Sequence, residues 1–219
     1  MKEALTPAVL LKQGATSLGL SVSDDESEQL LTYLSLLARF NRKHNLTAVR
    51  NESAMVATHL LDSLSILPYL PPGRLLDVGS GAGLPGIPVA LLQPQRRCLL
   101  LDASFKRVVF LQDVARRLSL NNVAVVHSRV EDFQSEPFDV CTTRAFATLD
   151  KTLALSEHLL GDTGVWLAMK GRYPGDELHE LAQKTADRYL VQCVEPLQVP
   201  GLDAERHAVL IGKQIDPGA

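Results

Sequence analysis

From Ser23 the chain changes from polar to periodically apolar. In SDDESEQLLTYLSLLARF, residues Leu30, Tyr33, Leu34 and Leu37 recur three or four apart, and Ser23 is followed three residues later by Glu26. That spacing predicts an amphipathic helix opened by a capping box. A second helical pattern runs from about Glu52 to Leu67, with Met55, His59, Leu60, Ser63 and Leu67 near one face, and Pro68 is expected to stop it. The stretch PYLPPGR, residues 68–74, reads as a stiff connector. After Arg74 the period shortens. The apolar runs RLLDVG, CLLLD, NVAVVH, FDVCTT and GVWLAMK alternate with helical segments, the pattern of a parallel sheet with helices on both faces. The last two runs, DRYLVQCVEPL and RHAVLIGK, are too close in sequence for a crossover helix and are expected to pair antiparallel. The organisation predicted is a helical extension over residues 1–72, an α/β domain over 73–213 and a loose tail, DPGA-ended, over 214–219.

Composition narrows the class. With 219 residues, 46% hydrophobic and 21% charged, the chain is an ordinary globular protein that can bury roughly 70% of its surface, which excludes disordered and coiled-coil classes. A net charge of -3 argues against gripping nucleic acid with the whole surface. It leaves room for a local patch, and Arg39, Arg42, Lys43, His44 and Arg50 form one near the end of the first helix. RNA phosphates and the dipole of a helix end explain Arg39, Arg42 and Lys43 equally well. Cys98, Cys141 and Cys193 are odd in number and lack metal-type spacing, which suits buried thiols in a reducing compartment. The N-terminal apolar run is too short for a signal peptide, and no run approaches the ~18 residues of a membrane span, so a cytoplasmic protein is expected. His59 and Asp62 stand three apart without a third ligand, so no metal is expected there. His127, His158, His179 and His207 show no convergent pattern.

The candidate chemistry lies in LLDVGSGAGLPGIP, residues 75–88, a glycine-dense turn after the first strand of the sheet. In open parallel sheets ligands sit at the carboxyl ends of the strands, beside such a turn. The spacing of Gly79, Gly81 and Gly83 is GxGxG, and the third glycine of a dinucleotide fingerprint would fall on Leu84. Pro85 and Pro88 remove amide donors from the start of the following helix, where a diphosphate would need them. Asp77 adds negative charge beside the turn, which repels phosphates and welcomes a sulfonium. The ligand favoured is therefore S-adenosylmethionine. Asp102 ends the next strand at the distance where an acidic residue takes ribose hydroxyls, although an aspartate there also caps the following helix. Val130 and Glu131 follow the third strand, where an adenine could be packed and hydrogen-bonded.

Several motifs then fall together in order: NLTAVR (45–50), THLLDSL (58–64), DVGSGAGLPGIP (77–88), LDASFKRVVFL (101–111), SRVEDF (128–133), TRAFA (143–147) and MKG (169–171). Together they closely resemble the bacterial 16S rRNA guanine-N7 methyltransferase family, also called RsmG or glucose-inhibited division protein B. Phe40 stands where the family usually has tryptophan, and Leu84 where it often has phenylalanine. The resemblance implies an α/β, Rossmann-like methyltransferase fold with a mostly parallel seven-stranded sheet and an N-terminal helical extension. It implies S-adenosylmethionine as donor and methylation of N7 of guanine 527 in the 530 loop of 16S rRNA. It also implies that Gly79, Leu84, Val130, Glu131 and Arg144 line the cofactor pocket; Asp77, Ser80, Gly81, Gly83 and Asp102 complete the expected set.

The residues agree with that chemistry. The chain has CTTRAFA where an amino-methylating enzyme would carry an Asn/Asp-Pro-Pro-aromatic element, and Cys141 lies inside an expected buried strand, unsuited to nucleophilic catalysis. Guanine N7 already offers an in-plane lone pair, so no acid or base is assigned and catalysis is expected to be positioning. Arg144 and Lys170, each at a strand end, are the candidates for holding substrate base or phosphate. Arg39, Arg42, Lys43 and Arg50 are the candidates for RNA contact. The expected partner is 16S rRNA or the small ribosomal subunit, bound by a monomer; with only 5% aromatic residues, recognition is expected to rest on RNA shape. A small-molecule methyltransferase is the main alternative; an NAD-linked dehydrogenase and a non-enzymatic RNA-binding protein are others.

Overall fold

In the computed structural model, which describes residues 5–185 and 188–214, the apolar runs after Arg74 form one seven-stranded sheet. The strands are β1 (Leu75–Val78), β2 (Cys98–Asp102), β3 (Val123–His127), β4 (Phe138–Arg144), β5 (Leu160–Lys170), β6 (Tyr189–Pro196) and β7 (His207–Lys213), in the order β3-β2-β1-β4-β5-β7-β6. The first five are parallel, and β7 runs antiparallel between β5 and β6, as the short connection between the last two runs requires. From β1 the chain builds outward to β2 and β3, then crosses back to β4 on the other side of β1. That reversal makes a crevice at the carboxyl ends of β1 and β4.

Period-two alternation divides the core. Leu75 of β1 faces one cluster with Leu84, Ile87, Leu100 and Leu111, whereas Leu76 and Val78 face another with Leu101, Leu149 and Leu153. Helices α5 (Gly86–Leu92) and α6 (Phe105–Arg117) cover the first face; α7 (Leu149–Ser156) and α8 (Gly175–Thr185) cover the second.

The extension consists of α1 (Pro7–Ser17), α2 (Asp24–His44) and a third helical segment. In α2 the capping box is present: Glu26 N–H donates to Ser23 Oγ at 3.2 Å and Ser23 N–H to Glu26 Oε2 at 2.8 Å. Leu30, Tyr33, Leu34 and Leu37 are buried, and they join the same core as Leu75 and Leu100. Phe40 stacks against Phe110 of α6 with ring centroids 4.8 Å apart, tying extension to sheet. Helix α1 has no counterpart in the sequence reading, because its apolar stripe is weak: only Leu11, Gly14 and Ala15 are buried.

The third segment departs from expectation. It begins as α3 (Glu52–Met55), widens into a π-helical stretch over Val56–Leu61 and closes as α4 (Asp62–Leu64). It ends ahead of Pro68, which instead lies within a 3₁₀ turn, Leu67–Tyr69, near whose start a missing N–H costs nothing. Cys98 and Cys141 are buried as expected, with the Cys98 thiol pushed up by burial to about 12; Cys193, on the edge strand β6, is only half-buried. No helix among the described residues is long and apolar enough to cross a membrane. All but the first residue of the expected tail, positions 215–219, lies outside the described residues.

Candidate active site

The glycine turn leaves β1 at Val78 and adopts backbone that only glycine takes without strain: φ is +68° at Gly79, +60° at Gly81 and +93° at Gly83. All but one of its amide donors are committed within the protein, Ala82 N–H being the exception. Gly79 and Ser80 donate to Leu101 O, Gly83 and Leu84 to Ser80 O, Gly81 to Asp102 Oδ2 and Gly86 to Asp77 Oδ2. Pro85 has none. A diphosphate held by the backbone needs several free N–H groups, and here only that of Ala82 is without an acceptor. Tyr33 of α2 reaches the turn as well, its hydroxyl donating to Ala82 O at 2.8 Å. A side chain that the helical period marks only as core thus braces the turn from the extension.

The two carboxylates beside the turn behave differently from simple ligand attractors. Asp77 is 1% exposed and lies beneath the turn, where Oδ2 accepts from Gly86 N–H at 3.1 Å and Oδ1 from Thr142 Oγ1 at 3.3 Å. Burial pushes its pKa up to about 6, opposed by the Gly86 amide and the Arg144 charge. Folding therefore favours the protonated form. The stabilisation from this group is complete below pH ~4, is lost as the pH rises through about 6, and amounts to roughly 3 kcal/mol. Urea unfolding of wild type and Asp77→Asn at pH 4 and pH 7.5 tests this: wild type should weaken relative to the variant by that order as the pH rises. A gap that stays constant would show that the carboxylate titrates normally. Asp102, 3% exposed, takes the capping role of its two sequence readings and also holds the turn. Oδ1 accepts from Ser104 N–H at the start of α6, Oδ2 from Gly81 N–H, both at 2.8 Å, with Arg107 at 3.4 Å. Val130 is buried on the second face of the sheet just after β3, and Glu131 beside it is exposed.

Arg144 ends β4 and points at the third helical segment. Its Nη1 donates to Asp62 Oδ2 at 2.9 Å and to Thr58 O at 3.2 Å. The second Asp62 oxygen accepts from Arg206 Nε at 2.8 Å, so one carboxylate, 1% exposed, bridges two guanidiniums. These residues and Lys170 line a cleft of about 380 Å³ at the carboxyl ends of β4 and β5. Lys170 donates to Glu177 Oε2 at 2.7 Å and to Ala147 O at 3.0 Å, and Glu177 Oε2 also accepts from Leu149 N–H. Lys170 therefore secures the segment after β4, with two of its three donors engaged. His59 and Asp62 make separate contacts: His59 Nε2 meets Thr47 Oγ1 at 2.9 Å, and no group of three or more His, Cys, Asp or Glu gathers among the described residues.

A family model described as "rRNA small subunit methyltransferase G" matches residues 26–209 of the chain. The chain belongs to that family. Ribosomal RNA small subunit methyltransferase G of Chromobacterium violaceum is 49% identical over 91% of this chain and 94% of its own, and that of Methylobacillus flagellatus 46% identical over 92% and 96%. The fold recurs in more distant methyltransferases. A glycopeptide N-methyltransferase solved with S-adenosylmethionine aligns at TM-score 0.57 and 12% identity over 71% of this chain and 94% of that one. A ribosomal protein L11 methylase from Lactobacillus delbrueckii subsp. bulgaricus aligns at 0.54 and 15% over 75% and 80%.

In this member of the methyltransferase G family the basic positions Arg39, Arg42, Lys43 and Arg50 are all exposed, and Arg50 donates to Asn45 Oδ1 at 3.2 Å. Three contributors have no advance signal as site residues. Asp62 attracts notice in the sequence as half of a metal pair and as part of the THLLDSL motif, in neither case with a role in the site, and Arg206 and Glu177 lie in no motif of their own; each acquires its role from a partner distant in sequence.

Proposed function

We propose that this small-subunit rRNA methyltransferase uses S-adenosylmethionine to methylate N7 of guanine 527 in the 530 loop of 16S rRNA. The single observation that carries the choice of donor is the glycine turn, whose N–H groups, that of Ala82 excepted, are already bonded to Leu101, Ser80, Asp102 and Asp77. Such a turn suits a ligand that approaches glycine backbone closely and asks few donors of it. A Cβ built on Gly81 meets nothing nearer than Gly79 O at 3.8 Å, so the backbone is open on that side. Gly79, Gly81 and Gly83 would take the donor's amino-acid part, Asp102 its ribose hydroxyls, and Val130 with Glu131 its adenine, Leu84 filling the apolar floor; Asp77 and Ser80 hold the turn from below. Carboxylate oxygens keep lone pairs beyond those already used, so Asp102 can accept the added hydroxyls. When bound, the donor supplies an electrophilic methyl group on a sulfonium.

The chain's own part is orientation. Guanine N7 needs no proton removed, and the cleft offers no evident base: both oxygens of Asp62 are engaged by arginine. Cys141, fully buried within β4 with its thiol pushed up by burial, is no nucleophile. Arg144 would hold the guanine O6 or a phosphate. A guanidinium on N7 itself would occupy the reacting lone pair, so the usual bidentate O6/N7 contact is disfavoured here. Alignment of this kind can supply several kcal/mol, up to roughly 7–11 in ideal cases. The exposed Arg39, Arg42, Lys43 and Arg50 would add phosphate contacts.

The test is incubation of radiolabelled S-adenosylmethionine with unmethylated 16S RNA and with 30S subunits, then mapping of the modified nucleotide. Label is expected on N7 of a single guanine and should fall sharply when Arg42 and Lys43 are changed to glutamate. Label on an exocyclic nitrogen or a ribose overturns the mechanism, and transfer to a small molecule but to neither RNA substrate overturns the acceptor.

A further inference from the structure

We propose that Phe105 and Tyr173 are base-stacking platforms on either side of the substrate cleft, holding single-stranded neighbours of the methylated nucleotide. The inference rests on the RNA acceptor argued above. Among the described residues these are the two most exposed large apolar side chains, at 68% and 60%. Leaving an aromatic ring in water forfeits its burial energy, and neither ring contributes to the core clusters.

Both rings stand on the ligand edge of the sheet. Phe105 opens α6 just past the carboxyl end of β2, and Tyr173 lies three residues past the carboxyl end of β5. Each is steadied by a histidine of that same edge. The Phe105 ring meets His127, which ends β3, edge-on at 5.6 Å; the Tyr173 ring meets His207, which pairs with Lys170 at the start of β7, edge-on at 5.8 Å. The histidines are anchored in turn, His127 Nε2 to Ala103 O at 3.0 Å and His207 Nδ1 to Gly171 O at 2.8 Å. An exposed aromatic held by a backbone-anchored histidine therefore occurs twice, once on each side of the β1–β4 crevice.

Their charge surroundings identify the partner. Exposed Lys106, Arg107 and Arg129 lie in the segments carrying Phe105 and His127, with Arg107 near buried Asp102 and Arg129 near Glu131. Arg172 and half-buried Arg206 lie in those carrying Tyr173 and His207, where Asp203 and Glu205 are also exposed, so the cations are in excess at Phe105 and balanced at Tyr173. Rings set among cations form the surface that binds single-stranded nucleic acid: the π-faces take bases, the cations take phosphates. Val109, 43% exposed, lies one turn along α6 from Phe105, and an apolar protein partner would want a wider hydrophobic patch than that pair. Three strand spacings separate the carboxyl ends of β2 and β5, roughly 14 Å, which leaves the Arg144 cleft between the platforms. A base swung into that cleft would have its neighbours beside the two rings.

The experiment uses the full chain with Phe105→Leu and Tyr173→Leu, singly and together, and the ring-preserving Phe105→Tyr and Tyr173→Phe. Both sites are exposed, so melting temperature and S-adenosylmethionine affinity should match wild type. KM for 16S RNA should rise roughly five- to hundredfold for each leucine, with the ring-preserving variants near wild type. Leucine variants with unchanged KM, in an enzyme whose wild type labels RNA, overturn the platforms alone. A defect on 30S subunits absent from deproteinised RNA would assign the surface to a ribosomal protein and also overturn them. Failure of the wild type to label any RNA overturns the acceptor reading and this inference with it.

Discussion

Gly81→Ala is expected to keep its fold and lose its methyl donor. The new methyl meets no protein atom closer than 3.8 Å, so the structural penalty is the left-handed backbone alone, φ +60°, about 1 kcal/mol. In a protein of this size that lowers the melting temperature by roughly 2–4 °C. If the donor lies against the turn there, the same methyl overpacks the contact, and overpacking costs about 1–3 kcal/mol. S-adenosylmethionine should therefore bind roughly ten- to hundredfold more weakly by calorimetry. Gly79 provides the contrast: its Cβ would fall inside the Phe146 ring's contact distance, so Gly79→Ala should damage stability first. A Gly81→Ala protein that binds the donor like wild type would place the ligand elsewhere.

Asp62→Asn should loosen the Arg144 cleft and weaken the whole protein. Asp62 is almost completely buried, and its two arginine partners are only about a quarter exposed, at 23% and 26%. Asparagine keeps the volume but has one acceptor oxygen and no charge, so at least one guanidinium loses its partner. Breaking a buried charge pair costs about 3–5 kcal/mol, and the partial exposure of the arginines places this case near the lower end, a fall of roughly 6–12 °C in melting temperature. Turnover of RNA should fall tenfold or more, since Arg144 and Arg206 would no longer share one fixed anchor. A double-mutant cycle with Arg144→Gln separates the pair from its surroundings and should give a coupling of about 1–3 kcal/mol. Additive losses would mean that Arg144 and Asp62 meet without mutual dependence.

Local patterns carried much of this protein. The buried stripe Leu30-Tyr33-Leu34-Leu37 and the strands follow from periods of 3.6 and two, because burial on one face repeats with the element, while the capping box follows from the Ser23–Glu26 spacing and the closing antiparallel pair from its short connection. Where the stripe is weak, as in α1, the pattern had nothing to report. Where the helix widens into a π turn between Val56 and Leu61, a strict α period also misplaced its end. Both exceptions sit in the extension, whose helices fold against a sheet encoded elsewhere in the chain.

The amino-acid sequence by itself determined the fold class and the glycine turn, since each depends on residues close together in the chain. Only the tertiary structure decided what the charged side chains do: that Asp77 lies under the turn, that Tyr33 braces it, that Lys170 holds the segment after β4. Asp62 meets Arg144 across 82 positions and Arg206 across 144. Such pairings depend on the register of distant strands and on which helix covers which strand end, and no local period records either.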